Sequence, residues 1–271
     1  MSAPGPEPGS ARGPGARRVL GRPRVHLRRT DSTNERAREL AIAGAPDGTM
    51  VTAAEQSAGR GRQGRHWAAP PGSSILMSLV LREPPRLLPL MAAVAVCDIA
   101  GEDAMIKWPN DVVVVGERGA EASGTGGAGG APGMAKLAGI LIEGRPQQGW
   151  AVLGIGVNVA VELDELPVDL QPGQAEGSGS RPAATLGRAR EEVEPTLERL
   201  LRALEQRLAE APERTLEHWR ARDALRGREV AWSTGHGRAE GIDGDGRLLI
   251  ALSGGGHTAI GSGEVHLERV G

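Results

Sequence analysis

The chain contains no phenylalanine, no tyrosine and a single cysteine, Cys97, among 271 residues. Without Phe and Tyr, a core has to be built from Val, Leu, Ile, Ala and Met, together with five Trp. One cysteine excludes an internal disulfide framework and fits a reducing cytosol, so we expect a cytoplasmic protein. No apolar run reaches the ~18 residues that a membrane-spanning helix needs, and we expect no membrane partner. A formal net charge of −2 argues against a global attraction to nucleic acid.

Lysine and asparagine are also scarce, with two and three copies in the chain. These residues, like Phe and Tyr, have A/T-rich codons, whereas Ala, Gly, Arg and Pro are plentiful, which indicates a GC-rich coding sequence. Lysines and asparagines that persist under such pressure are expected where Arg, Gln or Ser would fail. The residues concerned are Asn34, Lys107, Asn110, Lys136 and Asn158.

Three regions of the chain differ in texture. Residues 1–23 are mainly Pro, Gly, Ala, Ser and Arg and are expected to form a disordered tail. Residues 24–223 mix strands and helices without regular alternation, which predicts an α+β domain with a largely antiparallel or mixed sheet. Residues 224–271 change to short strands with Gly turns, typical of a small all-β domain. Low-complexity stretches at 116–135 and about 167–183 are expected to be surface loops.

Local sequence patterns predict individual helices and strands of residues 24–223. In DSTNERARELAIAG, Ser32 and Glu35 form a capping box and Gly44 ends the helix. The stretch EEVEPTLERLLRALEQRLAEA repeats apolar residues at helical spacing, and the apolar LLPLMAAVAVCDIA places Cys97 in the core rather than in a nucleophilic role. The run SSILMSLVLR predicts a strand buried on both faces, and AMIKWPNDVVVV predicts two strand pieces bent at Pro109.

The densest motif is GRGRQGRHW, residues 59–67. Its G-x-G-x-x-G spacing is not a dinucleotide fingerprint, because the following AAPPGSS cannot promptly begin a helix. A solvated basic loop and an RGG-like nucleic-acid segment remain open, although such segments usually carry longer repeats and aromatics. Arginines spaced by glycines suit a loop that closes over an anionic ligand, and Trp67 then either stacks on a planar base or packs in the core.

Other motifs each allow a structural and a functional interpretation. DSTN is a helix cap or a reader of a small polar ligand. In KLAGILIE, Lys136 is an edge guard of the sheet or a cation at the mouth of a site. In GIGVNV, Asn158 satisfies a bulge or pairs with an adenine edge, since its carboxamide both donates and accepts.

Taken together, the order and spacing of DSTN, EQSAGRGRQGRHW, IKWPND, KLAGILIEG and GIGVNV resemble the biotin protein ligases (biotin–[acetyl-CoA-carboxylase] ligases). GIDGDGRLLI…GSGEVHLE resembles that family's SH3-like C-terminal domain. The resemblance covers about residues 24–271. It implies a mixed-sheet catalytic domain of the class II aminoacyl-tRNA synthetase type, residues 24–223, followed by a small SH3-like β-barrel, residues 224–271. Repressor members carry an N-terminal winged helix-turn-helix, and since only about 23 residues precede the catalytic domain here, we expect no DNA binding.

The resemblance also implies a reaction. Biotin and ATP would form biotinyl-5′-AMP, and biotin would then pass to a lysine of a biotin carboxyl carrier protein domain, with Mg²⁺ arriving on ATP. The implied catalytic residues are Lys136, Arg60, Arg62 and Lys107. The implied biotin-binding residues are Ser32, Thr33, Asn34, Gln56, Gly59, Arg60, Arg62, Lys136 and Gly139. The implied ATP- and adenylate-binding residues are Arg60, Arg62, Arg65, Trp67, Lys107, Asn110, Asp111, Lys136 and Asn158, with Asp111 also assigned to Mg²⁺.

Three other functions stay open on the sequence. A lipoate or octanoate protein ligase has the same architecture, but lacks GRGRQGR followed by KWPND. A nucleic-acid-binding module would rest on the basic loop alone and predicts binding that falls steeply with salt. An inactive paralogue is the third. Family members can form homodimers through the catalytic sheet, and the sequence leaves this state open.

Overall fold

The computed structural model describes residues 18–116, 133–145, 148–167, 170–171, 182–261, 263 and 265–267. Most of the predicted tail and most of both low-complexity stretches therefore lie outside the described residues. The part of the tail that is described corrects the expected boundary at residue 23. Leu20 is 5% exposed and its backbone N–H donates to the Glu205 carboxylate at 3.0 Å. Because the apolar side chain of Leu20 is buried against the domain, the folded region begins before residue 24.

A seven-stranded sheet is the centre of the larger domain. Its strands lie in the order β1-β2-β3-β7-β6-β5-β4. Only β1 and β2 run parallel, and the remaining neighbours are antiparallel, as the predicted mixed sheet requires. The strand bounds are β1 Arg24–Leu27, β2 Met50–Ala53, β3 Ser74–Arg82, β4 Ala104–Lys107, β5 Asp111–Val114, β6 Ala135–Arg145 and β7 Trp150–Asn158.

Helices cover both faces of this sheet. Their bounds are α1 Thr33–Ile42, α2 Leu88–Ala100, α3 Val193–Ala209 and α4 Pro212–Arg220. Helix α1 packs on β3 and β7, whereas α2 packs on the opposite face and against α3 and α4. The middle strand β3 shows the result: Leu79 joins the α2 side of the core and Val80 joins the α1 side. The prediction of a strand buried on both faces is confirmed.

Two local predictions around the helices have different outcomes. Helix α1 has Ser32 as its N-cap, as predicted, but the Ser32 side chain makes no capping hydrogen bond. Glu35 instead forms ion pairs with Arg38 and Arg60, so the predicted capping box is wrong because these arginines compete for the carboxylate. Helix α4 was not expected, since its nine residues show only a short apolar face.

The C-terminal residues form a second, five-stranded antiparallel sheet. Its strands are β8 Glu229–Trp232, β9 Gly235–Ile242, β10 Leu248–Ala251, β11 His257–Ile260 and β12 His266–Leu267, in the order β11-β10-β9-β8-β12. The small β domain is thus as predicted. It contacts the larger domain directly, because Trp108 Nε1 donates to the Gly246 carbonyl at 3.0 Å.

Burial in the larger domain agrees with the role expected for the single cysteine. Cys97 is 2% exposed within α2, and burial raises the pKa of its thiol to about 12. A thiol that stays protonated at neutral pH is a poor nucleophile. Among the described residues, no helix combines the length and apolar character needed to cross a membrane.

Candidate active site

A cavity of about 460 Å³ opens where the arginine–glycine loop lies over β6 and β7. It collects most of the predicted site residues from four separate parts of the chain. Those that line it are Ser32, Thr33, Asn34, Gln56, Arg60, Arg62, Arg65, Trp67, Lys107, Asn110, Asp111, Lys136 and Gly139. Gly59 and Asn158 do not line it. The motifs that are distant in sequence therefore meet in space, as an active site requires.

The first end of the cavity, which we call the polar end, consists of uncharged hydrogen-bonding groups from the start of α1 and from Gln56. The Gln56 Oε1 atom accepts from the Thr33 backbone N–H at 2.7 Å and from the Thr33 hydroxyl at 3.1 Å. Ser78 Oγ lies 2.9 Å from Thr33 Oγ1 and 2.6 Å from Asn34 Oδ1. These contacts hold the polar groups in one arrangement before any ligand binds.

The opposite, cationic end is built by β5, β6 and the arginine loop. Lys136 Nζ lies 2.7 Å from Asp111 Oδ1 and 5.7 Å from the centroid of the Trp67 ring. The side chain of Lys136 keeps 29% exposure, whereas that of Asp111 keeps 12%. A cation that faces both an aromatic ring and open cavity is available to an incoming anion.

Lys107, the other lysine, is almost fully buried, at 4% exposure. Its Nζ donates to the backbone carbonyl of Val265 at 2.6 Å, so the C-terminal domain provides a partner for it. The following turn is attached to β6, because Asn110 Nδ2 donates to the Ile140 carbonyl at 3.1 Å and the Ile140 N–H donates back at 2.9 Å. The KWPND turn thus places Lys107 and Asp111 side by side at the cavity wall.

The arginine–glycine loop is a small closed hairpin. Arg60 and His66 form an antiparallel bridge, and the Gly61 N–H donates to the Arg65 carbonyl at 2.7 Å. At its tip Gln63 takes a left-handed backbone with φ of 55°. The Arg60 guanidinium contacts Glu35 at 2.9 Å and Glu143 at 3.1 Å. The loop is therefore fastened to both α1 and β6 by one arginine.

Trp67 lies flat on a pair of glycines in neighbouring strands. Gly139 of β6 and Gly156 of β7 are directly opposite each other in the sheet. A Cβ at Gly156 would lie 2.6 Å from the Trp67 ring, and one at Gly139 would lie 3.1 Å from it. Any larger residue at Gly156 would displace the ring, so the two glycines form its seat. The indole of Trp67 therefore contacts the sheet.

The two predicted residues outside the cavity already have structural roles. The Asn158 amide donates to the Ala184 carbonyl at 2.9 Å, and Asn158 is 4% exposed. At Gly59 a Cβ would lie 2.4 Å from the Trp67 carbonyl, which accounts for glycine by close backbone approach alone. The geometry therefore brings neither residue to the candidate ligand.

Several cavity-forming residues were missed by reasoning from the sequence. Gly154 faces Asn34 so closely that a Cβ would lie 2.0 Å from Asn34 Oδ1. The alternation in GIGVN, with glycines two apart in a strand, was the available signal, since residues i and i+2 share a face. Ser78 and Glu143 carried no such signal, because their partners come from α1 and the loop. They became visible only when those segments were placed together.

The described residues hold no cluster of three or more His, Cys, Asp and Glu side chains with metal-ligand geometry. Asp111 is the single carboxylate among the residues that line the cavity. A divalent cation with most of its coordination supplied by a phosphate-bearing ligand fits one carboxylate, whereas a metal held by protein alone does not.

Two family models match the chain. The model described as "Biotin/lipoate A/B protein ligase family" matches residues 26–159, and that described as "Biotin protein ligase C terminal domain" matches residues 226–267. The first contains the polar end, the arginine loop and the KWPND turn. The second corresponds to the smaller sheet.

Curated relatives agree with these models. A biotin–[acetyl-CoA-carboxylase] ligase of Paracoccus denitrificans is 34% identical over 250 residues, which cover 83% of this chain and 92% of the relative. The corresponding ligase of Mycobacterium tuberculosis is 31% identical and covers 88% of this chain and 87% of its own length. A bifunctional ligase/repressor of Bacillus spizizenii is 36% identical over 165 residues, and the match spans only 45% of that relative.

Among solved structures, a biotin protein ligase from Aquifex aeolicus in complex with biotin and ATP is similar in fold. Its TM-score is 0.66 at 26% identity, and the match covers 92% of this chain and 99% of that one. The likeness therefore extends over both sheets and over the segments that line the cavity.

Proposed function

The chain belongs to the biotin/lipoate A/B protein ligase family, and from this we propose that it is a biotin protein ligase. It forms biotinyl-5′-AMP and pyrophosphate from biotin and ATP, then transfers biotin to a lysine of a biotin carboxyl carrier protein. One observation carries the proposal: a single cavity joins a neutral hydrogen-bonding end to a cationic end. Such a cavity suits a ligand with an uncharged polar head and a carboxylate that must meet a phosphate.

The polar end would receive the ureido ring of biotin. A ureido group offers N–H donors and a carbonyl acceptor, which match the Gln56 carbonyl, the Asn34 carboxamide and the hydroxyl of Thr33. Ser32, which also lines the cavity, adds a further hydroxyl. Because these groups are already held in place, binding the head needs little rearrangement.

The cationic end would carry the first chemical step. A carboxylate oxygen of biotin attacks the α-phosphorus of ATP, and the bond to the bridging oxygen of pyrophosphate breaks. Two anions approach each other, so the main barrier is electrostatic and no protein nucleophile is needed. Lys136 leaves Asp111 and contacts the biotin carboxylate and the α-phosphate where they approach each other. From the loop, Arg60, Arg62 and Arg65 orient the same two anionic groups. Lys107 holds the triphosphate from the wall of the cavity.

Mg²⁺ would enter with ATP, with Asp111 as its protein ligand. When bound, the ion supplies positive charge that offsets the phosphate charge as pyrophosphate leaves. The Trp67 side chain would turn away from Gly139 and Gly156 to stack against adenine. We leave Asn158 out of the proposed adenine contact, because it does not line the cavity and its amide donates to the Ala184 carbonyl.

In the second step, the carrier lysine attacks the acyl carbon of the mixed anhydride and AMP leaves. The amine attacks as its neutral form and loses a proton to solvent as the amide forms. Lys136 and the arginine loop hold the leaving phosphate during this step.

Binding of nucleic acid is a weaker explanation of the basic loop. Arg60, the first arginine of the loop, is neutralised by Glu35 and Glu143. A nucleic-acid-binding surface would present its arginines outward along a phosphate backbone, whereas Arg60, Arg62 and Arg65 line the cavity.

The test is mass spectrometry of a purified biotin carboxyl carrier domain after incubation with this protein, ATP, Mg²⁺ and either biotin or lipoate. We expect one biotin adduct on one lysine. A lipoate adduct instead would assign the chain to the lipoate branch of the family. Absence of both adducts with a folded protein would contradict ligase activity.

A further inference from the structure

One carboxylate, that of Glu143 on β6, joins the polar end of the cavity to the arginine loop. Its Oε2 atom accepts from Asn34 Nδ2 at 2.9 Å, and its Oε1 atom lies 3.1 Å from a guanidinium nitrogen of Arg60. The side chain is 24% exposed and lies just beyond the residues that line the cavity. Each oxygen therefore has its own partner, one from α1 and one from the loop.

The contact with Asn34 fixes which way that carboxamide points. A carboxylate accepts hydrogen bonds and cannot donate them, so the NH₂ group of Asn34 has to face Glu143. The Oδ1 atom then faces Ser78 Oγ at 2.6 Å. Gly154 leaves only enough room for this atom, since a Cβ there would lie 2.0 Å from it. Two acceptors on β6, the Glu143 carboxylate at 2.9 Å and the Leu141 carbonyl at 3.4 Å, thus fix the orientation of a group that lines the polar end.

The orientation passes on through Ser78. Its hydroxyl has one proton and lies within hydrogen-bond distance of both Asn34 Oδ1 and Thr33 Oγ1. Thr33 in turn donates to Gln56 Oε1. If the Asn34 amide turned over, its NH₂ group would face Ser78, and the donors and acceptors along this series would have to change together.

The contact with Arg60 ties the loop to the same carboxylate. Arg60 lies between Glu35 and Glu143, with contacts of 2.9 Å and 3.1 Å. Charge-assisted contacts of this kind are stronger than neutral ones. Loss of the Glu143 charge would leave Arg60 attached to α1 alone and would free β6 from the loop.

We propose that Glu143 is a positioning residue for adenylation: it orients the Asn34 carboxamide toward the head of biotin and fastens the arginine loop through Arg60. This inference rests on the proposed function. It makes head-group binding and loop placement depend on one carboxylate, although Glu143 itself touches no reacting atom.

The test measures biotin-dependent exchange of labelled pyrophosphate into ATP, with KM determined separately for biotin and for ATP. In Glu143→Gln one acceptor oxygen replaces two, so the side chain can no longer accept from both Asn34 and Arg60. We therefore expect KM for biotin to rise about tenfold or more, as for a lost hydrogen bond to a charged group. We expect a smaller rise in KM for ATP, because Arg60 stays attached to α1 through Glu35. Glu39→Gln is the matched control, since Glu39 is an exposed carboxylate that pairs only locally with Arg36 on α1.

A double-mutant cycle with Arg60→Ala sharpens the test. Because both residues share one contact, their effects on kcat/KM for biotin should be less than multiplicative, although the double variant should stay weaker than either single variant because each residue has a further contact. An unchanged KM for biotin in Glu143→Gln, or equal rises in both KM values together with a lowered Tm, would overturn the inference.

If Glu143→Gln does not fold, Glu143→Asp replaces it. We then expect a smaller rise in KM for biotin, and the absence of any rise would contradict the inference. Absence of exchange in the wild-type chain would instead count against the proposed function itself.

Discussion

The two ends of the cavity satisfy their polar groups in opposite ways. At the polar end, Thr33, Asn34 and Gln56 bond to one another or to Ser78, so the neutral groups are arranged in advance. At the cationic end, Lys136 pairs with the carboxylate of Asp111, and Arg60 pairs with two more carboxylates. The first end can accept a ligand by adding contacts, whereas the second has to exchange contacts it already has.

The pairing at the cationic end explains how several positively charged side chains can lie close together in one cavity. Several unpaired positive charges close together would repel each other, and local carboxylates and carbonyls reduce that repulsion. A phosphate that replaces Asp111 at Lys136 brings more negative charge than the carboxylate it displaces. The exchange contributes to catalysis rather than to binding alone because negative charge is most concentrated where the carboxylate and the α-phosphate meet in the transition state, so Lys136 stabilises that state more than the bound substrates.

Removing Lys136 should produce the largest effect on the cationic end. In Lys136→Ala we expect kcat for adenylation to fall roughly 10²- to 10³-fold, the range seen when one preorganised electrostatic contact to a transition state is lost. KM for biotin should change far less, because the polar end is untouched. Steady-state pyrophosphate exchange measures both values.

Lys136→Arg serves as the matched variant for that prediction. It keeps the charge, but its planar fork replaces a compact ammonium between two anions, so we expect only partial recovery of kcat. A rise in KM for biotin with unchanged kcat in Lys136→Ala would break the comparison, since it would place Lys136 with the binding groups.

Gly154→Ala should produce the next largest effect, and on the polar end. The new methyl group would lie 2.0 Å from Asn34 Oδ1, so Asn34 must move and lose its contact with Ser78. Overpacking of this kind destabilises a fold by about 1–3 kcal/mol, and we expect a lower Tm and a KM for biotin raised about tenfold. Calorimetry and pyrophosphate exchange measure the two quantities.

The control for this substitution is Gly254→Ala. A Cβ at Gly254 would meet nothing within 4 Å and its φ is not left-handed, so neither Tm nor KM should change appreciably. If Gly154→Ala left KM for biotin at its wild-type value, the polar end would be more adaptable than its hydrogen bonds indicate.

The same contrast between local and distant contacts separates what the sequence predicts from what it does not. Helix α1, the buried strand β3 and the two strands flanking Pro109 follow from periodicity and turn chemistry, which depend on near neighbours in the chain. The capping box failed because Arg38, three residues along the chain, and Arg60, 25 residues away, both take the Glu35 carboxylate. Of these two partners, only Arg38 lies within reach of local rules.

The residues of the candidate site also divide into those with local sequence signals and those whose contacts depend on the fold. Lys136, Arg60 and Gln56 were recognised by their motifs, since each lies within a run of characteristic residues. Glu143 and Ser78 were not, because their contacts run between elements that only the fold brings together. Asn158 shows the converse: it lies in a predicted motif, but it does not line the cavity, and its amide donates to the Ala184 carbonyl.

The smallest expected effect concerns Glu35, which borders the loop on the α1 side. Its hydrogen bond with Arg38, and then the charges of Arg38 and Arg60, lower its pKa below the ordinary value of 4.5. A lowered folded-state pKa contributes stability that is present above pH 4.5 and is lost as pH falls through the folded value. The Tm of the wild type should thus exceed that of Glu35→Gln at neutral pH, and the difference should shrink as pH falls below 4.5. Because Arg38 is the larger cause, we expect Arg60→Ala to preserve most of this pH dependence. If Arg60→Ala abolished it, the loop would stabilise α1 more strongly than the exposed Arg38 pair does, and the cationic end would contribute to the fold itself.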